Sequence, residues 1–308
     1  MGTTLIAAIL TVHNRKEKTL ECLKRLFAAA EGYNRQHDDG IVLTVFLTDD
    51  GCTDGTAQAV NASFPRHDIH ILQGSGSLFW AGGMRLAWQE AIDTNTPWEY
   101  YLLLNDDTYV WNNVFEQLFD ADRQGFRQVG IHGLSSGITC QPGNPDEITY
   151  GGFLFEGRSK GCHRLALPTG EAQQVDMTHC NILLVHRDMV EQCGIFHKGY
   201  IHSCADEDYS LMAQRKHLPT LVTAQVCGEC ECDHDTNKEQ IERLIGMTLA
   251  ERKQYFSSVT HSDHDYLLFI RRNFPLRYPA SKLLHAIRLY HPKMYYRITN
   301  FRGVYQQS

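Results

Sequence analysis

Tyr100-Tyr101-Leu102-Leu103-Leu104-Asn105-Asp106-Asp107 sets five apolar residues directly against two adjacent carboxylates. An apolar run of that length, bounded by turn formers, predicts a strand buried on both faces, as in a parallel sheet. In open α/β sheets, ligands bind beyond the carboxyl ends of the strands. Two neighbouring carboxylates at such an end repel one another until a cation or ligand neutralises them. The same residues also suit an exposed turn with an Asp helix cap. On this stretch alone both readings stand.

Outward from it, apolar runs alternate with helical periodicity. Strands are expected at Leu5–Val12, Ile41–Leu47, Ile69–Leu72 and Val129–Leu134. Helices are expected through Leu20, Leu23, Leu26 and Phe27, from Asp54 to Val60, and from about Ala81 to Ile92. The Gly-, Pro- and Thr-rich region 136–175 reads as hairpins and loops. Ile182–Val185 and Thr220–Val226 return to strand, Glu207–Lys216 to helix, and the chain beyond Thr236 is helical. This order predicts an α/β protein with a mostly parallel central sheet flanked by helices. A helical, basic C-terminal extension follows it.

Charge is divided unevenly. The 308 residues carry a net −7, yet Tyr266–Ser308 holds eight Lys/Arg and no Asp/Glu, leaving −15 on the first 265 residues. A mostly acidic surface disfavours nucleic acid as a partner. The tail, with Phe269, Arg271, Arg272, Leu283, Leu284, Ile287 and Tyr290, fits either a basic amphipathic helix on an anionic membrane or a cap on the acidic body. Ten scattered cysteines suggest reduced thiols and a cytoplasmic setting. Met1–Val12 lacks a basic leader and reads as a core strand. Ile6 stands where myristoylation at Gly2 wants Ser or Thr.

Polar clusters fall at three strand ends: Thr11-Val12-His13-Asn14-Arg15, Thr48-Asp49-Asp50-Gly51 and Asn105-Asp106-Asp107-Thr108. A calcium loop starting at Asp50 is a weak reading, because Cys52 offers no oxygen ligand and Asn61 stands where a bidentate carboxylate is required. Gly74-Ser75-Gly76 lacks the third glycine of a dinucleotide fingerprint. Cys227, Cys230, Cys232 and His234 are zinc-ligand types, but too tightly spaced for a closed site. Asp206 reads as a helix cap or as a general base. Trp80 suits a sugar-stacking face or a core equally.

Five blocks resemble glycosyltransferase family 2. They are Thr11–Arg15, Thr48–Thr56, Leu78–Arg85, Leu104–Thr108 and Asp206–Leu211, in family order across roughly residues 4–230. Thr48–Thr56 is similar to an Asp-Asp-Gly-Ser-Thr-Asp-Gly-Thr block with Cys52 for Ser, and His13 replaces a common Tyr. Leu78–Arg85 resembles the rhamnosyl- and galactofuranosyl-transferring branch. The resemblance implies a GT-A fold, the nucleotide-diphospho-sugar transferase fold, and inverting transfer to a glycan or lipid-linked acceptor hydroxyl in polysaccharide assembly. It implies a catalytic domain at 1–235, with a nucleotide half of about 1–110 and an acceptor-side half of 111–235, and an extension at 236–308.

On the same ground Thr11, Asn14, Asp50 and Asp106 would bind the donor nucleotide. Trp80, Gly82 and Gly83 would meet its sugar and diphosphate, and Asp107 would ligate Mg²⁺ or Mn²⁺. Asp206 would be the catalytic base. His234 and Cys230 compete for a further place near the metal. Two rival readings are a sugar-1-phosphate nucleotidyltransferase and a non-catalytic nucleotide-sugar binder. The first lacks a Gly-rich loop at His13-Asn14-Arg15-Lys16.

Overall fold

The computed structural model describes residues 2–156, 162–232 and 237–301. Its first part alternates β1 (Thr4–Val12), α1 (Lys16–Gln36), β2 (Ile41–Asp49), α2 (Thr56–Ser63), β3 (Asp68–Gln73), α3 (Phe79–Asp93) and β4 (Tyr100–Leu104). β1 pairs in parallel with β2 on one side and β4 on the other, and β2 pairs in parallel with β3. Along β1 the side chains alternate between two cores. Ile6, Ala8, Leu10 and Val12 join Leu23 and Leu26 of α1, whereas Ala7 and Ile9 join Met84 and Trp88 of α3. Covering both faces makes β1 and β4 apolar along most of their length, and each buried Leu or Ile contributes roughly 1.5–3 kcal/mol.

The chain continues as β5 (Tyr109–Val110), α4 (Val114–Val129), β6 (Leu134–Gln141), β7 (Asn144–Tyr150), β8 (Gly152–Glu156) and β9 (Cys162–Leu165). Next come β10 (Gln173–Gln174), β11 (Met177–Thr178), β12 (Ile182–His186), α5 (Arg187–Cys193), α6 (Ala205–Arg215) and β13 (Thr220–Glu229). The main sheet runs β3-β2-β1-β4-β12-β6-β13-β10, with β12 antiparallel to both neighbours and β13 parallel to β6. β11, β8 and β9 form a small antiparallel sheet beside it. The observed architecture is the expected α/β one, a mostly parallel sheet flanked by helices.

Two expectations are corrected. Val129–Leu134 is no strand: α4 runs through Val129, because Val114, Phe115, Leu118, Phe119 and Ala121 repeat at helical spacing. Gly130 ends that helix at φ 77°, a left-handed cap that glycine adopts readily. The strand begins at Leu134; the hairpins expected in 136–175 are there, β6 with β7 and β8 with β9, but β6 is also an inner strand of the main sheet. Its polar letters conceal burial, and two of its buried hydroxyls are satisfied. Ser136 Oγ donates to the Gly151 carbonyl at 3.2 Å, and Thr139 shares a hydrogen bond with Thr149 at 2.9 Å.

Beyond Asn237 lie α7 (Asn237–Gly246), α8 (Leu249–Tyr255), α9 (His264–Asn273), α10 (Tyr278–Tyr290) and α11 (Pro292–Phe301), with 3₁₀ turns at Val259–His261 and Pro275–Arg277. Buried Arg252 ties three of these segments, donating to the carbonyls of Leu244, Met247 and Leu289. α9 is embedded in the body. Phe269 and Ile270 enter the core, Arg272 Nε reaches Asp208 at 3.1 Å, and Asn273 Nδ2 reaches it at 2.7 Å.

Candidate functional site

The strand order turns back at β1: the chain lays β2 and β3 on one side, then crosses to β4 on the other. A crevice opens at such a reversal, outside the carboxyl ends of the strands. Here it is a cleft of about 660 Å³ whose lining includes Thr11, Asp50, Trp80, Asp106, Asp107 and Asp206. Six of the nine residues singled out from the sequence therefore share one wall or another of it.

Across the β1/β4 crevice, Arg15 Nη1 lies 2.5 Å from Asp107 and 3.4 Å from Asp106. Asp106 is buried, and Thr19 Oγ1 donates to it at 3.3 Å. Burial raises its carboxyl to about 7, with Arg15 opposing the shift and Asp107 reinforcing it. Asp107 is the more open of the two. Two carboxylates suit a hard divalent cation that takes its other ligands from phosphate and water. Among the described residues no group of three or more His, Cys, Asp or Glu would hold a metal by itself. Asp106 and Asp107 are of the ligand type that such a cation takes.

Asp50 serves the loop before α3. Its carboxylate accepts from the N–H groups of Gly76 (2.8 Å), Leu78 (2.9 Å) and Phe79 (3.0 Å), capping a helix from a neighbouring strand end. Phe79 needs that hold, for it sits at φ 55°, where a bulky side chain is strained. His13 Nδ1 donates to the Asp50 carbonyl at 2.8 Å. Its other nitrogen is then left to accept from Asn14 Nδ2 at 3.2 Å. Trp80 lines the cleft, its Nε1 donates to Asn105 Oδ1 at 2.8 Å, and its ring packs 5.6 Å from Phe196.

Asn14, Gly82 and Gly83 stand outside the cleft lining. Asn14 instead sews two loops together, its Oδ1 accepting from Thr53 N at 2.7 Å. A Cβ on Gly83 would fall 2.0 Å from Thr11 Oγ1, and Thr48 Oγ1 donates to the Gly83 carbonyl at 2.8 Å. Close packing of α3 on β1 and β2 accounts for that glycine. A Cβ on Gly82 would fall 3.1 Å from Leu78 Cβ.

The facing wall comes from the first turn of α6. Asp206 Oδ2 accepts from Cys180 N at 3.1 Å and Oδ1 from Glu207 N at 3.1 Å. Burial raises its carboxyl, while those peptide N–H groups pull it down. Glu207 lines the same cleft and is pushed up to about 7, by burial first and then by Asp206. Sequence reasoning gave a role in this acidic run to Asp206 alone. The signal that separates Glu207 from Asp208 is helical phase: Asp208 turns away to Arg272 and Asn273, and Glu207 does not.

α9 holds this wall in place. The buried Asp265 carboxylate accepts from the N–H groups of Ile201, His202 and Ser203 at 2.7–3.2 Å. His202, Ser203 and Cys204 line the cleft, as does Thr260 from the turn before α9. Cys204, at φ 60°, starts α6 in a strained conformation of the kind that clusters at functional sites. Cys230 also lines the cleft, receiving a hydrogen bond from Asn181 Nδ2 at 3.2 Å. Cys227 is buried against the Ile138 carbonyl and Cys232 is exposed, so the sulfurs do not converge as a zinc site requires. His234 lies outside the described residues.

No protein-family model matches the sequence, and no curated protein matches it. Among solved structures, residues 1–349 of S. aureus TarS in complex with UDP align at 13% identity and a TM-score of 0.48, covering 88% of this chain and 72% of that one. The same fragment in complex with UDP-GlcNAc aligns at 13% identity and a TM-score of 0.47, over 89% of this chain and 73% of that one. A likeness of this degree carries no argument, and the functional reading rests on the geometry of the cleft.

Proposed function

We propose that the cleft is the donor site of an inverting glycosyltransferase, which moves a sugar from a nucleoside-diphosphate sugar to the hydroxyl of a glycan or lipid-linked acceptor. One observation carries the reading: a carboxylate pair at the β1/β4 crevice shares a single cleft with a second pair that has raised proton affinity. One-step inversion requires a base on the side of the sugar away from the departing diphosphate. Asp206 takes that role, its affinity for a proton raised by burial. Asp107, backed by Asp106, would hold Mg²⁺ or Mn²⁺, which when bound neutralises charge on the leaving diphosphate. Thr11 and the loop held by Asp50 form the nucleoside side, and Trp80 offers a face to the sugar. The enzyme on this reading is cytoplasmic, and residues 266–308 bring it to an anionic membrane surface.

The test is a panel of uridine, guanosine and thymidine diphospho-sugars, each with Mn²⁺ or with EDTA, read by thermal shift and by slow donor hydrolysis. One donor should raise the Tm and be hydrolysed, with Mn²⁺ only. Pyrophosphate release from a nucleoside triphosphate and a sugar-1-phosphate would instead identify a nucleotidyltransferase. Binding without turnover would identify a non-catalytic binder, and no shift with any donor sinks all three.

A further inference from the structure

The outward face of α10 is apolar. Leu283 is 62% exposed and Tyr290 49%, with Leu276 at 96% in the preceding turn and Met294 at 45% in α11. Pro279 and Ala286 are exposed as well. At 100° per residue, Pro279, Leu283, Ala286 and Tyr290 fall within an arc of about 60°. The opposite face is engaged: His285 lies 2.7 Å from Asp263, Arg288 pairs with the same carboxylate, and its guanidinium sits 4.6 Å above the Phe256 ring. That attachment fixes which way the stripe looks, and it looks outward.

We propose that this stripe docks α10 in the interface of an anionic lipid bilayer, with Leu276, Leu283 and Tyr290 entering the headgroup boundary. Exposed Arg271, Lys282, Lys293 and Arg297 surround it. Charge selects this occupant over a second copy of the chain. Residues 266–308 carry eight Lys/Arg and no Asp/Glu. A two-fold contact through this face would set like charge against like, whereas an anionic surface attracts it and repels the body, which bears −15. Among the described residues no helix is long and apolar enough to cross a membrane, so α10 lies along the surface rather than through it. Thr260 and the loop held by Asp265 adjoin the tail, so docking sets one rim of the cleft beside the lipid. That last consequence rests on the proposed transfer reaction; docking itself does not.

The experiment is sedimentation of the full chain with phosphatidylcholine vesicles, with and without phosphatidylglycerol, at low and high salt. Binding is expected only with phosphatidylglycerol and is weakened by salt. The double variant Leu276→Glu/Leu283→Glu, changed at exposed positions and checked for native circular dichroism, should lose at least about tenfold in partition. Lys282→Glu/Lys293→Glu should lose salt-sensitive binding. Absence of binding to anionic vesicles overturns the proposal, as does undiminished binding by the leucine variant. A concentration-dependent dimer abolished by Leu276→Glu/Leu283→Glu would assign the stripe to a second copy and overturn it too. None of these readouts depends on catalysis, so a failure here is distinct from a failure of the transferase reading.

Discussion

Asp106-Asp107 and Asp206-Glu207 are both adjacent carboxylates in one cleft, and in each pair burial pushes one member to about 7. Their compensation differs. The first pair has a guanidinium 2.5 Å from Asp107, so it is arranged around a fixed positive charge. The second is balanced by the peptide N–H groups of Cys180 and Glu207 on Asp206 and by the Cys204 thiol on Glu207, against the repulsion that Asp206 adds. A pair built around a cation suits an exchangeable metal with its diphosphate, and a pair without one suits a mobile proton. Position at a strand end or a helix start matters less than which charge compensates the burial.

The largest expected effect follows from the proton role. Asp206→Asn should cut transfer by about 10²–10⁴-fold while leaving the Mn²⁺-dependent Tm rise with donor intact. Full activity in that variant breaks the base assignment. Asp107→Ala should do the reverse, removing the metal-dependent Tm rise. If both variants lose donor binding equally, the two pairs are not distinct.

Next in size is the support of the second pair. Asp265→Ala leaves the N–H groups of Ile201, His202 and Ser203 without their carboxylate, and should cost about 2–3 kcal/mol in denaturant unfolding. It should raise the acceptor KM and spare donor affinity. Asp265→Asn, which keeps one carbonyl acceptor, should recover part of both.

Glu207→Gln sharpens the comparison through pH. The Glu207 carboxyl is raised from its ordinary value to about 7. Stability tied to its protonated form is therefore present below the unfolded pKa and lost as pH rises through the folded one. The Gln variant should be more stable than the parent above pH 7, by about 1–3 kcal/mol, and equal to it near pH 4. Removing this neighbouring carboxylate should also move the rising limb of kcat, set by Asp206, to lower pH. An unmoved limb would detach Glu207 from the base.

The smallest effect belongs to Arg15. Arg15→Gln removes the resident positive charge and should tighten Mn²⁺ binding to the ligand-free protein severalfold, measured by calorimetry. Weaker binding would mean that Arg15 assists the cation instead of standing in its place.

The strands β1, β2 and β4 were legible because burial writes itself as long apolar runs, and their polar ends marked the cleft; β3, at the sheet edge with none of its residues fully buried, showed only through the short run at Ile69–Leu72. β6 was illegible for the opposite reason: Ser135, Ser136 and Thr139 are buried, the last two with satisfied hydroxyls, a pattern that composition reads as loop. The sequence placed Asp106, Asp107 and Asp206 together through their order along the chain. It did not separate Glu207 from Asp208, which depends on α9 lying against one side of α6. Nor did it show that Gly83 is small because of Thr11, since that contact joins residues 72 positions apart.

The hold of α9 on the loop at Ile201–Ser203 also bears on synthesis. The loop's three N–H groups find their acceptor 62–64 residues later, at Asp265. A nascent chain that has already completed its sheet still lacks the carboxylate that holds one rim of the cleft. That rim is held only when α9 has left the ribosome and docked, so a product truncated after β13 would keep every strand and leave the rim unheld.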